Sequence, residues 1–412
     1  MTIDLLWSIL AAAPVLLSLP GTVELALLTL GGILPYRPPC PPALPASKEK
    51  ADYPVPPTGQ RSEAVRIAVV VPAHNEEAGI RACVQGLLAC DPGAGELAVV
   101  VVADNCTDTT AAQAAEAGAQ VLARTDPQRR GKGYALDYAF RQLLPQGFDA
   151  FLVVDADTRV EPSLITGFQR LFAAGADAVQ CRYRVDNPEV SLRARLMHVA
   201  WLAFNVLRPR GRERWGLSVG LLGNGFGLTR ETLAAVPYEA VSVAEDLEYH
   251  LRLVRAGRRV RFADAVTVWS PAPTGGRAAA SQRARWEGGR FRMIRELAPP
   301  LAREAVAGRL RLLEPLLELL LLPLAYHVFL LLAALALPVA WSRAYALAGF
   351  ALVILHVAAA IVVGRGGWRD LLALAAAPFY MLWKLTLVKA LARSARRDAE
   401  WVRTEREDTH DR

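Results

Sequence analysis

Four groups of residues have the types and spacing that chemistry needs. Asp104 sits in VVADNCTD, Asp155 and Asp157 in VVDADT, Glu245 and Asp246 in VAEDLEY, and Gln282, Arg283, Arg285 and Trp286 in QRARW. Two carboxylates one residue apart can share a divalent cation. Mg2+ and Mn2+ favour oxygen ligands, often one or two carboxylates completed by phosphate oxygens. The same DxD spacing also suits a solvated turn. Arg130-Gly131-Lys132-Gly133 precedes a helical pattern. There, glycines allow close backbone approach, a helix N-terminus favours an anion, and lysine adds charge. An ordinary glycine-rich helix entry reads the same way. The spacing is not that of a P-loop, and no GxGxxG follows the first strand. Glu245-Asp246 opens the helical pattern EDLEYHLRL, where a carboxylate serves either as a helix cap or as a general base toward a hydroxyl. The QRARW arginines suit diphosphate oxygens and the tryptophan a sugar ring, and both also anchor chains at bilayer surfaces. Taken together, the groups suit a metal–diphosphate, a proton acceptor beside it, and an acceptor met at a membrane.

These residues need elements to hold them. RIAVVVPAHNEE reads as a buried strand and loop, and AGIRACVQGLLAC as a helix. ELAVVVVADN is a second strand, TDTTAAQAAEAGA a second helix and AQVLART a third strand. GKGYALDYAFRQLL is a helix and FDAFLVVDADT a further strand. Short β-rich apolar runs alternating with helices imply an α/β fold with a parallel, doubly wound sheet. Such sheets bind ligands beyond the carboxyl ends of their strands. Asp104, Asp155, Asp157 and His74-Asn75-Glu76 fall at ends of that kind.

The 412 residues are 53% hydrophobic and 21% charged, too apolar for an ordinary soluble protein of this length. The apolar excess lies at the two ends. Residues 1–35 form an N-terminal transmembrane segment with Pro14 and Pro20 as kink sites. A cleaved signal peptide fits less well, because Met1-Thr-Ile-Asp4 lacks a positive start. Residues 36–64 are a Pro-rich linker, and 65–275 the soluble domain. Residues 276–311 carry QRARW and an Arg-rich amphipathic interface segment. The C-terminal membrane region, 312–391, contains spans at 312–340 and 344–363 and a broken apolar stretch at 371–391. If that stretch lies in the interface, three spans leave the domain, the Arg365/Arg369 loop and the basic tail 392–412 all cytoplasmic, as positive charge predicts. The formal charge is +7. With no nucleic-acid module present, the basic residues are read as membrane-surface charge and phosphate handling, not nucleic-acid binding. Cys40, Cys83, Cys90, Cys106 and Cys181 show no zinc-ligand spacing and read as small buried hydrophobes in a reducing compartment.

In this order the motifs D, DxD, ED and QxxRW resemble those of the membrane-bound inverting family-2 glycosyltransferases. That group includes cellulose-, chitin- and hyaluronan-synthase-like enzymes and ceramide-type lipid glucosyltransferases. The resemblance covers residues 65–295. It implies a GT-A, Rossmann-like, mostly parallel domain in the cytoplasm, flanked by transmembrane and interfacial amphipathic helices. It also implies roles. Pro72, His74, Asn75, Glu76 and Asp104 line the nucleoside pocket, with Asp104 on uracil. Lys132 approaches the diphosphate, Asp155 contacts the nucleotide, and Asp157 binds Mg2+ or Mn2+. Gly223 and Asn224 line the acceptor site with Glu245. Asp246 is the catalytic base, and Gln282, Arg283, Arg285 and Trp286 bind the acceptor end and the leaving diphosphate. Two positions depart from the family pattern: VAED stands for the common TED, and Asp137 stands in GKGYALDYA where many relatives carry asparagine. The implied reaction is a single in-line displacement from a UDP-linked hexose or N-acetylhexosamine to a membrane-associated glycan or lipid-linked acceptor. The implied location is a bacterial inner membrane, with a homo-oligomer or export partner as a further expectation. A processive polysaccharide synthase is the alternative. A non-catalytic membrane scaffold or transporter fits poorly with so large an α/β domain.

Overall fold

The computed structural model describes residues 3–35, 65–93, 95–240, 242, 244–273, 276–321 and 323–385, without the side chains of 276–279, 281, 284 and 285. The linker 36–64, the tail 392–412 and Cys40 lie outside the described residues. The chain divides into two compact units, one of Pro35–Arg184 with Ser218–Pro271, the other of Met1–Leu34, Val185–Leu217 and Ala272–Arg412.

The first unit is built on eight strands: β1 (Ile67–Ala73), β2 (Leu97–Asp104), β3 (Gln120–Arg124), β4 (Ala150–Val153), β5 (Arg159–Val160), β6 (Ala178–Val185), β7 (Phe226–Thr229) and β8 (Val260–Ser270). They form one sheet in the order β3-β2-β1-β4-β7-β6-β8-β5. β1 pairs in parallel with β2 and β4, and β2 with β3. β7 runs antiparallel to β4 and β6, and β5 antiparallel to β8. The four parallel strands are those the sequence announces. The antiparallel half comes from stretches with weaker patterns, such as AVQCRYRV, whose polar residues mask a strand.

Period-two alternation explains why the central strands read as continuous apolar runs. In β1, Ile67, Val69 and Val71 enter one buried cluster, while Ala68 and Val70 enter another. β2 and β4 divide the same way, with Val99, Val101 and Leu152 on one face and Val100, Val102 and Phe151 on the other. A strand covered on both faces has no polar side to show. Each fully buried Val, Leu or Phe contributes roughly 1.5–3 kcal/mol. The helices Ile80–Leu88 and Leu164–Ala173 supply one face, and Lys132–Leu143 and Glu245–Arg255 the other.

In the second unit, the helix Ile3–Ile33 has 31 residues with Pro14 and Pro20 inside it. The helix Ala340–Val363 has 24 residues. Both are long and apolar enough to cross a membrane. The stretch expected as one span over 312–340 forms two helical pieces, Leu310–Leu320 and Leu324–Ala336, which are together long and apolar enough for a span but are bent by 81°. Pro323 stands at the bend. It has no N–H to continue the helical ladder, and its ring crowds the preceding turn. Over the described part of the stretch at 371–391, Trp368–Ala373, a 3-10 turn Leu374–Ala376 and Ala377–Leu385 follow one another. Residues 386–391 lie outside the described part.

Polar side chains tie these helices together. Tyr345 Oη meets Ser18 Oγ at 2.9 Å and Thr22 Oγ1 at 2.7 Å, and Thr29 Oγ1 meets His356 Nδ1 at 2.7 Å. Arg212 is 4% exposed and reaches three carboxylates: Glu24 of the first helix, Glu314 at 2.8 Å and Glu318 at 3.2 Å. Each of the three carboxylates meets this one guanidinium, without which they would be buried together with no opposite charge in contact. Beside it, a Cβ on Gly211 would stand 2.5 Å from Leu28 O, so only glycine lets the two helix backbones approach this closely.

Candidate active site

The loops after β1 and β2 are knitted together. Asn75, at φ +54°, accepts the Thr107 N–H on its Oδ1 at 2.8 Å, and the Glu76 N–H donates to Thr110 Oγ1 at 2.7 Å. His74 Nδ1 lies 2.7 Å from Asp104 O. Asp104 ends β2, and its Oδ1 accepts from Arg124 Nη1 at 2.5 Å and from Asn105 Nδ2 at 3.0 Å. Pro72, His74, Asn75, Glu76 and Asp104 thus lie together at the carboxyl ends of β1 and β2. Arg124 and Asn105 lie there too. The sequence hides Arg124 because it closes an ordinary half-exposed strand.

β4 is only four residues long, because the chain turns outward at Asp155. Asp155 and Asp157 are both half-buried on that turn. Lys132 is the first residue of the helix Lys132–Leu143. Its Nζ donates to Asp155 Oδ1 and to Gly223 O, the latter at 2.6 Å. Burial works against the Lys132 charge, yet Asp155, Glu245 and Asp246 together outweigh it and raise the ammonium above its ordinary value. Burial pushes Glu245 up to about 7, reinforced by Asp246 and opposed by Lys132. Asp246 is raised as well, by burial first, against the Leu247 N–H that its Oδ1 accepts at 2.8 Å and against Lys132. One ammonium therefore stands among three carboxylates, one on the turn after β4 and two at the start of the helix Glu245–Arg255.

Gly223 sits at φ +77°, where side-chain-bearing residues are strained, and a Cβ there would lie 3.2 Å from Asp246 Oδ2. Asn224 is fully buried. Its Oδ1 accepts the Asp155 N–H at 3.1 Å, and its Nδ2 donates to Thr158 Oγ1 at 2.8 Å and Ser270 Oγ at 3.1 Å. Asn224 thus fixes the backbone that presents Asp155. Gln180, also fully buried, donates to Asn224 O at 2.8 Å and accepts the Leu222 N–H at 2.9 Å, so it carries the whole loop. No sequence motif marks Gln180; a buried glutamine in a strand declares itself only through its partners.

The two half-buried aspartates present oxygen ligands only. Cys83, whose Sγ–H donates to Asp155 O at 3.5 Å, is held as a thiol: burial, then the charge of Asp157, pushes it up to about 12. Among the described residues no three or more His, Cys, Asp or Glu side chains converge on a metal site. That donor set fits a hard divalent cation completed by phosphate oxygens, not one caged by protein alone.

In the second unit, Gln282, Arg283, Arg285 and Trp286 lie on the helix Gly276–Val306, the side chain of Arg285 being outside the described part. Arg283 Nη2 donates to Tyr380 Oη at 2.6 Å. Trp286 is 37% exposed, with its ring 6.1 Å from that of Trp201. Glu287, one residue on, pairs with the buried Lys384 at 2.5 Å.

Comparison with known proteins places this arrangement. The model of the family described as glycosyltransferase like family 2 matches residues 65–289, more than half of the chain. The chain is 27% identical over 248 residues to a probable glycosyltransferase, YdaM, of Bacillus subtilis, covering 57% of this chain and 58% of that protein. It is 42% identical over 77 residues to the low-salt glycan biosynthesis hexosyltransferase Agl6 of Haloferax volcanii, covering 19% of this chain and 18% of that one. The matches thus span less than two thirds of either relative. Among solved structures, the mannosyltransferase PcManGT from Pyrobaculum calidifontis, in complex with GDP-Man and Mn2+, matches with a TM-score of 0.51 at 18% identity, over 95% of this chain and 100% of that chain. That likeness is one of fold.

Proposed function

The chain belongs to the glycosyltransferase like family 2, and from that premise we propose that it is a membrane-bound, inverting, metal-dependent hexosyltransferase. It moves a sugar from a nucleoside diphosphate to a glycan or lipid-linked acceptor at the bilayer. One observation carries the reading. Lys132, at a helix N-terminus, grips Asp155 of the DxD turn and the Gly223 carbonyl while Glu245 and Asp246 stand close enough to raise its affinity for a proton. A cation, a metal-type carboxylate pair and a candidate base converge within one unit.

In this reading, the 72–76 loop and Asp104 hold the nucleoside. Asp157, with Asp155, holds Mg2+ or Mn2+, which when bound offsets charge on the diphosphate. Lys132 turns its ammonium from Asp155 toward the departing phosphate oxygens. Asp246 takes the proton of the acceptor hydroxyl as that oxygen attacks the anomeric carbon. Gly223 leaves room for the acceptor above Asp246, Asn224 keeps Asp155 in place, and Glu245 shares the pair's charge. Gln282, Arg283, Arg285 and Trp286 serve the acceptor end and the diphosphate.

The domain plan follows the sequence: a span over 1–35, a linker over 36–64, a catalytic domain over 65–275, an interface segment over 276–311, a membrane region over 312–391 and a basic tail. With the bent pair counted as one span, three candidate spans among the described residues and the positive charge of Arg365/Arg369 support a catalytic domain on the cytoplasmic side of a bacterial plasma membrane. Three candidate spans among the described residues are few to enclose a polar path for a growing polymer, which favours limited transfer over processive synthesis of the cellulose or hyaluronan kind. The test is release of nucleoside diphosphate from a panel of UDP- and GDP-sugars by membranes carrying the protein, with mass spectrometry of lipid and polymer products. Release from no donor would overturn the reading in favour of a scaffold. A long polymer from the purified chain would favour the synthase.

A further inference from the structure

Asp104 has one carboxylate oxygen occupied and one left over. Its Oδ1 accepts from both Arg124 Nη1 and Asn105 Nδ2, which uses both lone pairs of that oxygen. Among the described residues no hydrogen bond reaches Oδ2, and it is not among the fully buried atoms that lack a partner, so it keeps some surface. The brace cannot swing away. Arg124 lies opposite Asp104 in the β2–β3 register and is 9% exposed. Its Nη2 holds Asp126 Oδ2 at 3.1 Å, and its backbone O accepts the Asn105 N–H at 2.8 Å. Asn105, at φ +51°, accepts the Asp126 N–H on its side-chain oxygen at 2.8 Å. The Tyr134 ring lies 5.9 Å from the guanidinium.

We infer that Arg124, helped by Asn105, is the specificity-determining residue for the donor's base. By occupying Oδ1 it leaves Asp104 a single acceptor, which selects uracil over guanine. The inference rests on the transferase reading and on Asp104 facing the base. Uracil presents one imino N–H between two carbonyls, which matches one free oxygen. Guanine presents N1–H and the exocyclic amine side by side and needs both carboxylate oxygens for its paired bonds. Cytosine and adenine turn a ring-nitrogen lone pair toward the carboxylate and are repelled. A site built around one polar partner discriminates strongly against a ligand that lacks it.

The test is calorimetry on the full chain in detergent with Mg2+ or Mn2+, using UDP, GDP and CDP as probes. UDP binds about 10-fold tighter than GDP and on the order of 100-fold tighter than CDP, the span of one hydrogen bond to a charged group. Arg124→Gln weakens UDP and brings the UDP-to-GDP ratio toward one, whereas a merely structural role would weaken both nucleotides alike. If Arg124→Gln does not fold, Asn105→Ala, which frees a lone pair on the same oxygen, must narrow the ratio. The wild type must also reject UDP methylated at uracil N3. Equal wild-type affinity for UDP and GDP, or an unchanged ratio in the folded variants, overturns the inference and leaves the transferase reading standing. Binding of no nucleoside diphosphate overturns both.

Discussion

Lys132→Met tests the electrostatic core of the site. In the wild type, one ammonium stands with Asp155, Glu245 and Asp246. With all three carboxylates ionised, the group carries two net negative charges, and the substitution makes it three. A diphosphate brought to this place meets one less attraction and one more unopposed repulsion. At an effective dielectric of about 20 and a separation of about 5 Å, one unit charge is worth roughly 3 kcal/mol. The lost charge-assisted hydrogen bond lies in the same range. The two descriptions overlap, so we take about 2–4 kcal/mol, or about 30- to 700-fold weaker UDP binding. A second readout is independent of affinity. Lys132 lowers both Glu245 and Asp246, so its loss raises them further. Transfer needs an ionised base. The acid limb of the pH–rate profile, which burial of Asp246 already holds above the ordinary carboxylate range, therefore moves to higher pH. The linkage runs the opposite way for stability. These raised carboxylates stabilise the fold fully only below their ordinary values of 3.8 and 4.5, and that contribution is lost as pH rises through about 7. Calorimetric UDP affinity within threefold of wild type, together with an unmoved acid limb, would refute the reasoning.

Other variants probe separate parts. Asp246→Asn is expected to keep UDP affinity and to lose about 10²–10⁴-fold in turnover, the usual weight of a general base; near-normal turnover in a radiolabelled transfer assay would remove Asp246 from that role. Asp157→Ala is expected to abolish the dependence of donor binding on Mg2+ or Mn2+, so an unchanged calorimetric metal response counts against it as a ligand. Gly223→Ala forces a side-chain-bearing residue to φ +77° and places a methyl 3.2 Å from Asp246 Oδ2. About 1–2 kcal/mol of strain and a displaced base should lower kcat more than donor affinity, and an unaltered kcat would show that the acceptor-side loop is more tolerant than the geometry implies. Arg212→Met strands Glu24, Glu314 and Glu318 without their cation. About 3–5 kcal/mol of stability is at stake, measurable as a fall in thermal midpoint in detergent, and an unshifted midpoint would show that the cluster contributes nothing.

The catalytic half of the sheet is legible in the sequence because β1, β2 and β4 are buried on both faces, so local pattern and tertiary environment agree. Asp104 and the DxD stand out because each ends such a run. β6 is not legible: Gln180, Arg182 and Arg184 look like loop residues, yet Gln180 is buried and bonded to the 222–225 loop, and the half-buried Arg182 pairs with Asp264 at 2.7 Å. Long-range pairing of this kind leaves no local signature. The span expected at 312–340 illustrates the converse. Its composition fits a bilayer, but Pro323 divides it, and hydropathy averaged over a window is blind to one missing N–H. Arg124 carries no local signature for a third reason, since its importance lies in which atom of Asp104 it touches.

The Arg212 cluster also bears on the order of assembly. Glu24 is made before its partner Arg212, which lies 188 positions later. At about 5–20 residues per second, synthesis leaves that carboxylate without its cation for roughly 10–40 s. Glu314 and Glu318 arrive later still. A nascent chain stalled before residue 212 would hold its first helix by apolar contact alone, and carbonate extraction of stalled chains should release it more readily than chains stalled after 318. A helix made well before its partners is thus among the last to be locked, and any factor that shields it in the interval acts on a temporarily incomplete protein.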